Sequence, residues 1–353
     1  MSALPAAMIA ILGVLHSGSA HAGGFMLQEQ SQVEIGRAFS GAAASADTPS
    51  TIYYNPAGMT ELDGIRISAG AAMLFIDSHQ SNQGSTRTGP PPIPALAIGG
   101  GNGGNPFASI AVVPTNYASV QVSDRLWLGF GINAPFGLKL DYAKDFFGRY
   151  DSLSSNLLTL DAQPSFAYKL NDTVSIGGGI DVQYVDVTLK SALPNLDPAA
   201  VDGMTNANGD DISLGWNAGI LLKLRGGTRF GLHYRSRVKH DLKGTNINSG
   251  LASPLAVLNS SLPIRAPLTL PDSATASLTI PLDGDTQFMA TGRYYNWSLF
   301  QDLKVVFPSG AVASKHFGYR DSWSLSLGLE RRVNDRLTLR GGGMFDRTPT
   351  NPS

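Results

Sequence analysis

Cysteine is absent from the 353 residues, which excludes a disulfide framework and thiolate chemistry. Charge is scarce as well. Asp, Glu, Lys and Arg make up 15% of the chain and the net charge is -1, so no long-range field draws a nucleic acid or an acidic surface. Beyond the N-terminus, no apolar run is long enough for a membrane helix. The hydrophobic content of 42% is too low for a helical membrane protein. It suits a wall in which lipid-facing residues take only alternate positions along each strand. Forty glycines and 21 prolines favour turns and kinked strands over long helices.

What is present begins with an export signal. Met1 to about Leu15 is mostly apolar, and Ser19-Ala20-His21-Ala22 supplies a small-x-small cleavage pattern. The segment lacks Lys and Arg, but its core is short and interrupted by Pro5, which favours a cleaved signal over residues 1–22 rather than an uncleaved anchor. Residues 23–60 follow neither a helix nor a strand period for long and are rich in small residues, as in Gly41-Ala42-Ala43-Ala44-Ser45-Ala46. Such a composition suits a plug packed inside a wall; a flexible tail is the alternative.

Strand pattern starts near Ile65 and fills 61–353. Trp216, Ala218, Ile220 and Leu222 alternate with Asn217, Gly219 and Lys223; Trp323, Leu325, Leu327 and Leu329 alternate with Ser322, Ser324, Ser326 and Gly328. The second face is rich in Ser, Thr, Gly and Asn and poor in Lys and Glu, which fits a narrow polar lumen better than bulk solvent. Short polar turns at 169–172 and 332–335 alternate with long connections at 141–156, 191–211 and 244–267. The fold class expected is all-β, a transmembrane antiparallel β-barrel of about eleven strands with an N-terminal plug. An odd count and an ending in Arg347-Thr348-Pro349-Thr350-Asn351-Pro352-Ser353, a loop rather than an aromatic-ended strand, lead to the expectation that the last strands are missing.

No enzyme constellation is present. His16 and His21 lie in the signal, and His79, His233, His240 and His316 show no metal-binding spacing. There is no Gly-x-Ser-x-Gly elbow. The run Gly99-Gly100-Gly101-Asn102-Gly103-Gly104, after Gly89-Pro90-Pro91-Pro92-Ile93-Pro94, lacks the setting of a phosphate cradle and is read as loop.

An ordered set of short motifs resembles the FadL/TodX-type outer-membrane transporters of long-chain fatty acids and hydrocarbons. It includes Gly24-Phe25, Gly36-Arg37-Ala38-Phe39-Ser40-Gly41, Asn55-Pro56-Ala57, Ala134-Pro135-Phe136-Gly137-Leu138, Ala167-Tyr168-Lys169-Leu170-Asn171, Gly215-Trp216-Asn217-Ala218-Gly219, Tyr234-Arg235-Ser236, Leu270-Pro271, Asn296-Trp297-Ser298, Lys315-His316 and Asp346-Arg347-Thr348-Pro349. The resemblance implies a fourteen-stranded barrel, an even number as bacterial barrels have, with an N-terminal hatch in the lumen, so that three strands would be absent here. It implies passive uptake of hydrophobic small molecules across the outer membrane by a lipid-embedded monomer, with no cofactor and no nucleic-acid partner. A structural or adhesive outer-membrane protein and a non-functional truncated fragment are the alternatives.

Candidate site residues follow. Phe146, Phe147 and Tyr150 in one long loop, with Leu193 and Leu196 in the next, are read as an apolar capture groove, the alternative being that the aromatics pack the loops together. Pro135 cannot complete a ladder and Gly137 weakens one, so a wall kink is expected at Ala134-Pro135-Phe136-Gly137, the alternative being an ordinary end of strand. By resemblance this kink is a lateral opening, faced by Asn55, Pro56 and Ala57 of the hatch. By the same resemblance Phe25 is the hatch residue that contacts ligand, and Lys315 is the cation of an inner pocket, the alternative for Lys315 being a rim lysine in solvent. The arginine that partners it in the family is replaced at the nearest position by Lys190, which weighs toward uncharged hydrocarbon.

Overall fold

The computed structural model describes residues 24–87, 96–107, 109–197 and 200–350. The expected signal at 1–22 and the proline-rich stretch at 89–94 lie outside the described residues. The strands are β1 (Ile65–Leu74), a small hairpin of β2 (Thr86–Arg87) and β3 (Leu96–Ala97), β4 (Ala111–Gln121), β5 (Leu126–Asn133) and β6 (Gly137–Asp141). Next come β7 (Ser154–Lys169), β8 (Val174–Leu193), β9 (Gly203–Lys223), β10 (Arg229–Arg235), β11 (Val238–Ser249) and β12 (Ser260–Leu270). The last six are β13 (Ser273–Pro281), β14 (Thr286–Tyr295), β15 (Asp302–Val306), β16 (Val312–His316), β17 (Ser322–Asn334) and β18 (Leu337–Asp346).

All but the small hairpin form one 16-stranded antiparallel sheet. Eleven strands neighbour one another in order along it, from β1 and β4 through to β17 and β18. The other five segments are continuations. The chain breaks once at 134–136, 236–237, 271–272, 296–301 and 317–321, so β5/β6, β10/β11, β12/β13, β14/β15 and β16/β17 are each one interrupted strand. The expected number of about eleven strands therefore describes the sheet.

Side-chain alternation sets the two faces. On β13, Ser273, Thr275, Ser277 and Thr279 are buried inward, and on β17 so are Ser322, Ser324 and Ser326. The opposite face exposes Trp216, Ile220, Leu232, Tyr294, Trp323, Leu325 and Leu327. A soluble sheet would hide its apolar face; this one shows it, as a wall in hydrocarbon requires. Two of the three long connections are shorter than expected. β8 and β9 extend through most of 191–211, and β11 and β12 through most of 244–267, as antiparallel hairpins.

The segment 24–62 packs against the inward face. It contains one-turn helices at Gln32–Gly36 and Thr51–Tyr54 and a 3₁₀ helix at Pro56–Glu61. Its backbone is held by wall side chains: Gln163 donates to the Ile52 carbonyl at 2.7 Å and Trp127 to that of Leu62 at 2.8 Å. Ser277 accepts from the Ala43 N–H at 3.0 Å. Contact is so close that a Cβ on Gly231 would overlap the Ala43 carbonyl oxygen. Arg37 is fully buried among Glu34, Asp47 and Glu330, and Glu330 also receives Arg340 at 2.7 Å, which ties the segment to β17 and β18.

Candidate functional site

Pro135 interrupts the third strand because it has no N–H to offer and restricts Ala134 before it. β5 and β6 both pair with β7, Asn133 opposite Asp161 and Gly137 opposite Leu158, so the interrupted strand carries one extra residue there. On the other side, β4 pairs with β5 only as far as Thr115–Asn133; its residues 111–114 pair with β1 alone, and β7 is the one strand that pairs with β6 among the described residues, the end residue Asp141 donating its N–H to the Pro106 carbonyl at 2.9 Å. The wall has a gap between β4 and β6.

The backbone of the gap is satisfied from within. Leu27 donates its N–H to the Pro135 carbonyl at 2.8 Å, and Gly137 donates to the Phe25 carbonyl at 2.9 Å. The buried Gln30 side chain donates to the Ala134 carbonyl at 2.7 Å and accepts from the Ala134 N–H at 3.4 Å. Phe136 is served by the Thr159 hydroxyl, which accepts from its N–H at 2.9 Å and donates to its carbonyl at 2.8 Å. Leu27 packs with Ala72, Val113 and Ala134 and fills the gap.

Phe25 sits in an aromatic pocket. Its ring lies edge-on to Trp297 at 4.7 Å and to Phe300 at 5.3 Å, with Phe136 at 6.0 Å and Tyr319 at 6.5 Å. Val185, Val187, Leu242, Leu268, Leu270 and Tyr295 complete the cluster. The strand interruptions explain the pocket: where a strand breaks, its alternation lapses and Phe136, Trp297, Phe300 and Tyr319 turn inward. Trp297 is fully buried and its indole N–H has no hydrogen-bond partner among the described residues. Pocket residues such as Trp297, Phe300 and Tyr319 were not among the candidates named from the sequence. Asn296-Trp297-Ser298 and Phe317-Gly318-Tyr319 carry the available signal, as breaks in period-two pattern.

The other candidates are dispersed. Phe146 is buried in the core of the outer loops, stacked on Tyr142 at 4.0 Å and packed with Leu153 and Ala192; Phe147 and Tyr150 flank it, half-buried. Arg149 pairs with Asp202 at 2.7 Å and Tyr150 donates to the same carboxylate at 2.9 Å, clamping the two loops. Leu193 lines an open apolar groove of about 550 Å³ with Leu251, Leu255, Val257, Leu258 and Leu262. Leu196 is exposed. Lys315, on β16, lies at the rim with its ammonium 2.9 Å from Asp151 and 5.7 Å from the Phe317 ring centre. Lys190 is half-buried on β8, its carbonyl accepting from Leu153 at 2.8 Å.

The expected facing of Asn55-Pro56-Ala57 onto the kink is corrected by the structure. Asn55 caps the 3₁₀ helix and donates to the Ala43 and Ile220 carbonyls at 2.7 and 3.0 Å, and Ala57 lies against Gly177. A Cβ on Gly219 would overlap the Asn55 side chain, so this turn keys onto β8 and β9. Residues 25–30 face the kink instead. A further concavity of about 910 Å³, lined by Ile220, Leu232, Ala276, Tyr294 and Leu325, includes the exposed apolar face of the outer wall. Among the described residues no cluster of His, Asp and Glu could hold a metal.

Comparison with known proteins agrees with this architecture. The chain is 30% identical over 372 residues to the long-chain fatty acid transport protein of Salmonella typhi, spanning 97% of this chain and 81% of that one. It is 27% identical to outer membrane protein P1 of Haemophilus influenzae, over 96% of this chain and 80% of that one. Among solved structures, a Pseudomonas aeruginosa FadL homologue superposes with a TM-score of 0.78 at 24% identity, covering 93% of this chain and 82% of that one. The Ralstonia pickettii toluene transporter TbuX gives 0.69 at 21% identity, covering 92% and 87%. The family described as outer membrane protein transport protein (OMPP1/FadL/TodX) matches residues 13–353. The chain therefore belongs to the OMPP1/FadL/TodX family of outer-membrane transport proteins, not to a family of enzymes.

Proposed function

We propose that the protein is a passive channel for hydrophobic small molecules, long-chain fatty acids or aromatic hydrocarbons, in which the N-terminal segment acts as a hatch and cargo leaves through the wall gap. One observation carries this reading: the gap at 134–137 is stitched by hydrogen bonds from Phe25, Leu27 and Gln30, while Phe25 itself fills an apolar pocket. A hydrophobic solute entering the pocket competes with the Phe25 ring, and burying each of its methylenes contributes about 0.8 kcal/mol. Displacing Phe25 breaks the Gly137 bond, and the movement that admits cargo then loosens the gap through which it departs. The groove beside Leu193 and the loops carrying Phe146, Phe147 and Tyr150 would gather cargo from the medium. No energy input is required when cargo moves down its own gradient.

The absence of cysteine makes the test clean. Met26 and Phe136 form an isolated antiparallel bridge, a pairing of the kind whose spacing accepts a disulfide. In a Met26→Cys, Phe136→Cys double variant, oxidation is expected to stop uptake of labelled oleate or toluene, and reduction to restore it. Uptake at the wild-type rate by the crosslinked protein would refute the hatch-and-gap route.

A further inference from the structure

Below the hatch tip lies a second polar site, apart from Lys315 and the aromatic pocket. A small cavity of about 20 Å³ separates the N-terminal segment from the wall, lined by Met26, Tyr53 and Tyr54 of that segment and by His233, Arg235, Ser273, Thr275 and Arg293 of the wall, with Arg235 over the Tyr53 ring at 4.5 Å and Arg293 over the Tyr54 ring at 5.9 Å. Strand register brings these side chains together: His233 is opposite Thr275, Thr275 opposite Arg293, and Arg235 opposite Ser273. His233, Arg235, Ser273, Thr275 and Arg293 point inward and are buried, and Met26 is half-buried.

The two arginines differ in their partners. Arg235 has Asp181 at 2.7 Å and Asp161 at 3.5 Å. Arg293 donates to the Thr275 hydroxyl at 3.1 Å, the Gln28 side-chain carbonyl at 2.7 Å and the Tyr295 hydroxyl at 3.1 Å, all neutral groups. Among the described residues no carboxylate forms an ion pair with it. Asp161 and Asp181 are engaged by Arg235, and also accept from Gln183 and Asn217 at 2.8 and 2.9 Å. Next to Arg293, His233 is 7% exposed and its Nε2 has no hydrogen-bond partner.

A guanidinium does not shed its proton under any condition a protein survives. A buried charge is kept when it is paired; Arg293 has no carboxylate in direct contact, Glu29 acting on it only through space and Asp346 reaching it only through the Gln28 amide. One unpaired guanidinium, one unpartnered imidazole and two hydroxyls converge on a space with room for a water-sized group. We propose that this cavity is an anion site, which takes a carboxylate head group or an equally small monovalent inorganic anion. The first source rests on the transport function proposed above; the second does not. Met26 both lines the cavity and bridges Phe136 at the kink, so an anion seated there lies against the residue between Phe25 and Leu27, which hold the gap.

The test uses crystals of the full chain soaked in bromide, located by its anomalous scattering. The expected result is a peak between Arg293 and His233 in the wild type that disappears in Arg293→Gln and weakens in His233→Phe. No peak in the wild type, or a peak that survives in Arg293→Gln, would overturn the site. Should Arg293→Gln not fold, the wild type and His233→Phe decide the matter, an unchanged peak in the latter counting against the proposal. Both sources are separated by adding octanoate or octanol. Displacement by octanoate alone assigns the site to the cargo head group, and a peak kept with both assigns it to a resident inorganic ion. The bromide readout needs no transport, so a channel that fails the crosslinking test leaves it standing.

Discussion

Gly137 donates its backbone N–H to the Phe25 carbonyl at 2.9 Å, so the N-terminal segment completes a ladder that the third wall strand leaves open. The cause lies two residues earlier, in Pro135, which removes a donor and forces the strand to leave its line. An unpaired backbone group within a hydrocarbon layer costs several kcal/mol, on the order of a lost hydrogen bond in an apolar medium. The tip of the N-terminal segment is thus a structural component of the wall, and under the function proposed above the wall gap and the position of that segment form one coupled element.

Filling the gap should block transport without unfolding the sheet. A Cβ on Gly137 would lie 2.8 Å from Leu27 Cδ1, and Ala134 is buried beside it. In an Ala134→Trp, Gly137→Trp double variant, uptake of labelled oleate or toluene is expected to fall at least about tenfold, a change worth roughly 1.4 kcal/mol in the barrel's limiting barrier. The protein should remain membrane-inserted and protease-resistant, since pairing elsewhere is untouched. Uptake at the wild-type rate in the folded variant would mean that cargo leaves by another route.

Arg37 should act on the hatch rather than on the wall. It is buried between Glu34, Asp47 and Glu330, and Glu330 keeps a second partner in Arg340. Removing one member of such a group leaves uncompensated charge and costs about 3–5 kcal/mol. In Arg37→Met that loss falls on the N-terminal segment, so ion leakage through planar bilayers should rise and residues 24–62 should become protease-sensitive. A variant that leaks no more than the wild type would show that the segment is anchored elsewhere.

Much of the architecture was legible in the sequence, and the reason is physical. Where one face meets lipid and the other a narrow lumen, alternation is enforced at every step, and Trp323 to Leu329 could be read residue by residue. Above the membrane that constraint lapses. Asn206, Ala207 and Asn208 pair with Ile247, Thr245 and their neighbours in a hairpin whose two faces are both polar, and such a strand looks like loop. Pro135 announced the kink because its chemistry is local. The pocket was hidden because Phe136, Trp297, Phe300 and Tyr319 converge on Phe25 only through three separate breaks in the strands. The ion pair between Lys315 and Asp151 joins residues 164 positions apart and leaves no local trace.

That ion pair makes a prediction for charged cargo. Lys315 is about half exposed and already bound to Asp151, so a carboxylate arriving at the rim must compete for it. Asp151→Asn is expected to tighten oleate binding by up to about fivefold and Lys315→Ala to weaken it by a similar factor, the range set by exposed pairs of roughly 0–1 kcal/mol. Neither should alter the affinity for an uncharged alkane, which titration calorimetry in detergent can measure. Equal changes for both ligands would assign the effect to loop packing.

The last prediction concerns Phe25. Its ring fills the space between Trp297, Phe300 and Phe136, so an incoming hydrocarbon has to remove it before gaining the same contacts. Deleting a buried phenyl costs about 3–5 kcal/mol of packing, here charged to the docked hatch tip. In Phe25→Ala the pocket stands open, and the apparent affinity for toluene should rise, because cargo no longer competes with a resident side chain. Trp297→Phe separates ring from pocket: it keeps the aromatic wall, removes the unpartnered indole N–H, and should bind toluene as the wild type does. A rise in affinity in Phe25→Ala with wild-type behaviour in Trp297→Phe is the expected pair of results. A fall in Phe25→Ala would instead make the ring part of the bound site, contacting cargo and not yielding to it.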